Sequence, residues 1–195
     1  GCGKTMTAQA LAGELGLSLF IVRLDGLISK YMGETITKLR QIFDAMKEYR
    51  AVYLFDEFDS IGSHRNQFND VGEIRRVLNS FLINIEKDNS NSIIIAATNM
   101  PESLDKALYR RFDDIIVYPE PNEREIYDLL KMHLKGYKLD NEISLKQISK
   151  DSIGLSFADI VRAAEESKKE MIISNRNYIS GISIMQNINS RKREK

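Results

Sequence analysis

The sequence predicts an α/β fold, a parallel sheet covered by helices, with a smaller helical subdomain at its C-terminal end. Short apolar runs rich in β-branched and aromatic residues alternate with amphipathic helical stripes, the pattern of βαβ units. The chain opens Gly1-Cys2-Gly3-Lys4-Thr5, which matches the end of the phosphate-binding pattern G-x-x-x-x-G-K-[ST] and so places a loop before the first helix. Beyond Pro119 and Pro121 the strand signals stop and only helical stripes continue.

The elements follow in order. A helix from about Lys4 to Leu15 ends at Gly16, a residue suited to the left-handed position that closes a helix. Residues 17–24 (LSLFIVRL), 51–56 (AVYLFD), 92–98 (SIIIAAT) and 115–118 (IIVY) read as strands buried on both faces. Leu39, Ile42, Phe43 and Met46 fall at i, i+3, i+4 and i+7, as do Ile74, Val77, Leu78 and Phe81, continued by Leu82 and Ile85. Each stripe predicts a helix lying on the sheet. Ile126, Leu129, Leu130 and Leu134 make a further stripe, and Phe157, Ile160, Val161 and Ala164 another. These divide the chain into a large subdomain, residues 1–121, and a helical one, residues 122–195, with Pro-Glu-Pro as the joint.

Composition bounds the function. Of 195 residues, 43% are hydrophobic, enough to bury a core, and Lys+Arg and Asp+Glu both total 28. That balance gives no electrostatic case for a nucleic-acid or anionic-membrane partner. The basic tail 191–195 reads as a solvated end rather than a nucleic-acid contact. One cysteine, Cys2, excludes an internal disulfide framework and fits a reducing, cytoplasmic setting. No apolar run reaches eighteen residues, so no membrane span is expected.

The chemistry concentrates at strand ends. In a phosphate-binding loop, backbone N–H groups cradle phosphates, Lys4 reaches the β/γ-phosphates, and Thr5 holds Mg²⁺. The run 51–57 (AVYLFDE) delivers Asp56 and Glu57 to the carboxyl edge of the sheet, where α/β folds bind ligands. Asp56 would act on Mg²⁺ and Glu57 would polarise an attacking water; alone, acids after a strand are common. Asn99, after the next strand, either orients that water or simply forms a turn before Met100-Pro101. Arg110 and Arg111 either neutralise charge on a transferring phosphoryl group or pair with nearby carboxylates.

Taken together, these segments resemble the AAA family of ATPases over nearly the whole chain. GCGKT looks like the end of Walker A, LFDE like Walker B, AATN like sensor 1, and YRRFDD like the arginine-finger segment. Residues 154–160 (GLSFADI) resemble the start of the lid's sensor-2 helix. The resemblance implies a P-loop NTPase sheet of order 5-1-4-3-2 followed by a helical lid, with ATP and Mg as ligands. It assigns nucleotide binding to Gly1, Cys2, Gly3, Lys4, Thr5, Met6, Asp56, Gly154 and Ala158, and Mg²⁺ to Thr5 and Asp56. Catalysis falls to Glu57 and Asn99, with Arg110 and Arg111 supplied to a neighbouring protomer of a ring, expected to be a hexamer.

Tyr31, Met32 and Gly33 are similar to the pore loop of members that thread polypeptides, where a ring of aromatics would grip a client chain non-directionally. Residues 69–76 stand where a second pore loop and its following helix are expected. Arg-Arg-Phe, without an intervening Pro-Gly, is closer to the severing and disassembly branch. A DNA-associated ATPase and a nucleotide-gated scaffold with little turnover are the alternatives, and a nucleotide kinase or GTPase shares only the loop. Cys2 reads as a tolerated small residue, His64 and His133 as structural rather than metal-binding, and Asp59 as a fixer of loop geometry or a contact to an adjacent protomer. The strand expected to deliver the loop would precede residue 1, and the polypeptide by itself is expected to bind ATP poorly.

Overall fold

The computed structural model describes residues 1–27, 32–59, 71–104, 106–140 and 142–193. Two compact units emerge, one formed by Lys4–Ile116 and the other by Gly1–Gly3 with Val117–Lys195.

The larger unit is built on three parallel strands in the order β1 (Leu19–Arg23), β2 (Val52–Asp56), β3 (Ile93–Ala96). Leu19 pairs with Val52 and Val52 with Ile93, so the three strands run in step and their carboxyl ends align. Val52, Tyr53, Leu54 and Phe55 are all buried, as a continuous apolar run in a central strand requires. The edge strand β1 departs from the expectation of burial on both faces. Phe20 and Ile21 are each 46% exposed.

Alternation along β2 assigns its side chains to two layers. Tyr53 and Phe55 face helices α3 (Met32–Glu48) and α4 (Val71–Lys87), which bury Leu39, Phe43, Met46, Val77 and Phe81 against them. Phe55 meets Phe81 edge-on at 5.0 Å, and Phe43 stacks on Phe55 at 5.8 Å. Leu54 points the other way, onto Ala8 of α1 (Lys4–Leu15) and Ala97. Small residues on α1, Ala8 and Ala12, allow this close approach. The predicted end of α1 is realised. Gly16 has φ +64°, Leu17 N–H donates to Ala12 O at 2.9 Å and Gly16 N–H to Gly13 O at 3.2 Å, the two bonds of a Schellman closure. A short helix α2 (Leu24–Leu27) follows β1, and α5 (Lys106–Tyr109) follows β3.

Residues 115–118 correct the strand expected there. Ile115, Ile116 and Val117 are 58%, 71% and 80% exposed and lie outside the sheet. Among the described residues no backbone pairs with them. β-branched residues favour a strand only where a neighbouring ladder and a packing surface exist.

The second unit is helical: α6 (Glu123–His133), α7 (Leu145–Asp151), α8 (Phe157–Ile173) and α9 (Gly181–Arg193). Asn122 and Ser156 cap α6 and α8 through reciprocal bonds with Glu125 and Asp159, so sequence signals start both helices. Ile126, Leu130, Ile148, Leu155, Ile160, Ala164, Ile184 and Ile188 form their common core. No helix of the described residues is long and apolar enough to cross a membrane.

Candidate functional site

At the carboxyl edge of the larger unit's sheet three strands end and α1 begins, and their side chains meet there in pairs. The start of α1 brings Lys4 and Thr5, β2 ends in Asp56 and Glu57, the turn after β3 carries Asn99, and β1 ends in Arg23. Thr5 Oγ1 donates to Asp56 Oδ2 at 3.1 Å, across 51 positions of sequence. Lys4 Nζ donates to Asn99 Oδ1 at 2.7 Å, across 95. Neither bond is a local turn contact. Both exist because α1 packs on β2 and the strand ends are in register.

Glu57 sits at a sharp change of direction. Its φ is +55°, in the left-handed region that costs a non-glycine residue roughly 1–2 kcal/mol. Two bonds hold that conformation. Glu57 N–H donates to Asp56 Oδ1 at 2.9 Å, and Phe58 N–H to Ala97 O at 2.9 Å. The Phe58 ring, 1% exposed, lies 4.9 Å from Phe81. The turn therefore lifts the Glu57 carboxylate out of the strand while anchoring the next residue in the core.

Arg23 was not singled out by its sequence context, where it closes an apolar run. Its Nη2 lies 3.2 Å from Asp25 and 3.6 Å from Glu57 Oε2. The Asp25 charge and then that of Glu57 hold the guanidinium above its ordinary range, while the Gly26 backbone N–H, more than Arg23, draws Asp25 below the usual carboxylate range. A charged residue at the carboxyl end of an edge strand was the available signal. Asp59, three positions after Asp56, bonds Thr98 and Asn99 and so does fix loop geometry.

Not every candidate joins this cluster. Arg110 is exposed. Arg111 is turned to its own unit, with Nη2 2.6 Å from Glu86 and Nη1 donating to Ala107 O at 3.0 Å. Tyr31 lies outside the described residues, as do His64, Asn69 and Asp70; Met32 and Gly33 open α3. His133 approaches Glu165 at 3.6 Å, and among the described residues no group of three or more His, Cys, Asp or Glu could hold a metal.

Gly1, Cys2 and Gly3 belong with the helical unit. Gly1 O accepts from Ala158 N–H at 3.1 Å, and a Cβ on Gly1 would stand 2.5 Å from Ser156 Oγ, so a larger residue would have to displace Ser156. Gly3 and Gly154 adopt φ of +98° and +89°, which favour glycine.

The family model of the "ATPase family associated with various cellular activities (AAA)" matches residues 1–120. The chain belongs to the AAA family. An uncharacterized AAA family ATPase, y4kL, of Sinorhizobium fredii is 39% identical over 92% of this chain and 54% of its own length. A human katanin p60 ATPase-containing protein is 35% identical over 94% of this chain and 39% of its own. The ATP-dependent zinc metalloprotease FtsH of Helicobacter felis is 34% identical over 86% and 28%. The chain thus spans about half the length, or less, of these relatives. Lys4, Thr5, Asp56, Glu57 and Asn99 all lie within the matched region of this AAA chain.

Proposed function

We propose that this edge binds MgATP and hydrolyses it, with Lys4 and Thr5 on the phosphates, Glu57 as general base and Asn99 as the holder of the water. The observation that carries this reading is the pair of long-range bonds, Lys4 to Asn99 at 2.7 Å and Thr5 to Asp56 at 3.1 Å. A cationic amine and a hydroxyl–carboxylate pair are what a polyphosphate and a hard divalent cation require. Mg²⁺ prefers oxygen ligands and uses one or two from the protein with the rest from phosphate and water, so Thr5 and Asp56 fit it. When bound, the metal would neutralise charge on the phosphates.

The remaining roles belong to the side chains. Lys4, a compact three-donor cation, can exchange Asn99 for phosphate oxygens and leave the Asn99 amide free to hold water. Glu57 takes a proton from that water as its oxygen bonds to the γ-phosphorus and the bond to the β-phosphate oxygen breaks, leaving ADP and inorganic phosphate. Arg23, within 3.6 Å, keeps the Glu57 carboxylate near the strand end. Gly1, Cys2, Gly3, Met6, Gly154 and Ala158 keep the nucleotide-binding roles that the motifs suggest.

Ring assembly, a hexameric pore with Tyr31, Met32 and Gly33 on a polypeptide client, and a cytoplasmic setting complete the proposal. The relatives named ATPase and ATP-dependent protease support the use of ATP. Arg110, exposed, is the better placed of the two arginines to act on a neighbour, because Arg111 is bonded within its own protomer. The test is Glu57→Gln in the protein carrying this sequence. It should keep ATP affinity while turnover falls about 10²–10⁴-fold, the usual contribution of a positioned base. Unchanged turnover would reject Glu57 as the base.

A further inference from the structure

The turn after β2 and the turn after β3 are fastened to each other by one carboxylate oxygen. Asp59 Oδ1 accepts from Thr98 Oγ1 and from Asn99 N–H, each at 3.1 Å. Thr98 Oγ1 in turn accepts from Met100 N–H at 3.0 Å, which leaves its single proton directed at Asp59. One residue earlier, Phe58 N–H donates to Ala97 O. Residues 58 and 59 therefore hold three successive residues, 97 to 99, and they do so directly behind Glu57.

We propose that Asp59 is a positioning residue that sets where the Asn99 carboxamide stands relative to Glu57. The inference rests on the roles of Glu57 and Asn99 given above. Glu57 and Asn99 come from adjacent strands, and both lie past the last ladder pair, Phe55 with Ala96. Past that pair the sheet no longer dictates spacing. The bond from the Asn99 N–H to Asp59, at 3.1 Å, fixes the Asn99 backbone while leaving the side chain free to exchange Lys4 for water. Asn99 itself is exposed, so packing does not hold it. Geometry of this kind matters because a displacement of about 1 Å can lower a rate about 10²-fold.

The test compares Asp59→Ala, Asn99→Ala, the double variant and Asp59→Asn in the protein carrying this sequence. D59A and N99A should each lower kcat for ATP about 10²-fold with ATP affinity changed less than about threefold. The double variant should be no slower than N99A alone, since Asp59 acts only through Asn99. D59N keeps an acceptor oxygen and should retain most turnover. Independently of turnover, amide hydrogen exchange at Asn99 in the nucleotide-free protein should accelerate in D59A and not in D59N.

Multiplicative losses in the double variant, or unchanged exchange at Asn99 in D59A, would overturn the inference. If D59A does not fold, D59N decides: turnover as low as that of N99A would refute positioning through this oxygen. Normal turnover in N99A with loss in E57Q would remove the Asn99 role and this inference, while leaving the hydrolase reading intact. A wild-type protein without ATP turnover would remove both.

Discussion

Replacing Glu57 by glycine should make the protein more stable while removing the carboxylate that we propose as the general base. Glu57 holds φ at +55°, where the Cβ of an L-residue crowds the carbonyl oxygen at roughly 1–2 kcal/mol. Glycine escapes that crowding but loses more backbone entropy on folding, roughly 0.5–1 kcal/mol. The difference leaves a net gain of about 1 kcal/mol. The control is Glu57→Ala, which removes the same carboxylate and the same Arg23 contact but keeps the strained Cβ. Subtracting one variant from the other isolates the backbone. With a urea slope of about 2 kcal/mol/M, the midpoint of E57G should lie about 0.5 M above that of E57A. Urea unfolding followed by circular dichroism reads this directly. Equal midpoints, or a lower one for E57G, would refute the strained turn and the idea that the fold holds Glu57 out of the strand at a cost in stability.

Two further predictions test the core and the arginines. Phe81→Ala should destabilise the larger unit by about 3–5 kcal/mol, since its fully buried ring touches Phe43, Phe55 and Phe58, and chemical denaturation would measure it. The loss should also raise hydrogen exchange at Phe58, next to the Glu57 turn. Arg111→Ala should lower stability by about 0.2–1 kcal/mol through its half-exposed bridge to Glu86, whereas Arg110→Ala should leave the melting temperature unchanged. Mixing R110A protomers with Lys4→Ala protomers should restore some ATP turnover if Arg110 acts on a neighbour; mixtures as inactive as each parent would refute action in trans.

The legible parts of this protein are those decided by local chemistry. The apolar spacing of Leu39, Phe43 and Met46 yields a helix that buries all three, and that of Val77, Phe81 and Leu82 another, because a helix repeats every 3.6 residues whatever it packs on. Gly16 closes α1 because only a residue without Cβ takes the left-handed position cheaply. Asp56 and Glu57 were recognisable as acids at a strand end, and Gly3-Lys4-Thr5 as a loop leading into a helix. Residues 115–118 misled for the opposite reason. Their composition favours a strand, but strand formation depends on a partner that composition cannot supply.

The site shows the same division at finer scale. Residue types at motif spacing nominate Lys4, Thr5, Asp56, Glu57 and Asn99, and those nominations need no coordinates. Which atoms meet is another matter. The Lys4–Asn99 bond joins residues 95 positions apart, Arg23 reaches Glu57 from a neighbouring strand, and Arg111 turns to Glu86 while Arg110 stays exposed. Two adjacent arginines of identical chemistry thus differ only through what surrounds them. The sequence alone determined the helices, the three strands of the sheet and the family to which the chain belongs, because helix period, glycine freedom and side-chain chemistry are properties of neighbouring residues. The tertiary structure alone decided strand partners, the Asp59 clasp and the separate environments of Arg110 and Arg111, because a bond between distant residues depends on parallel register and packing.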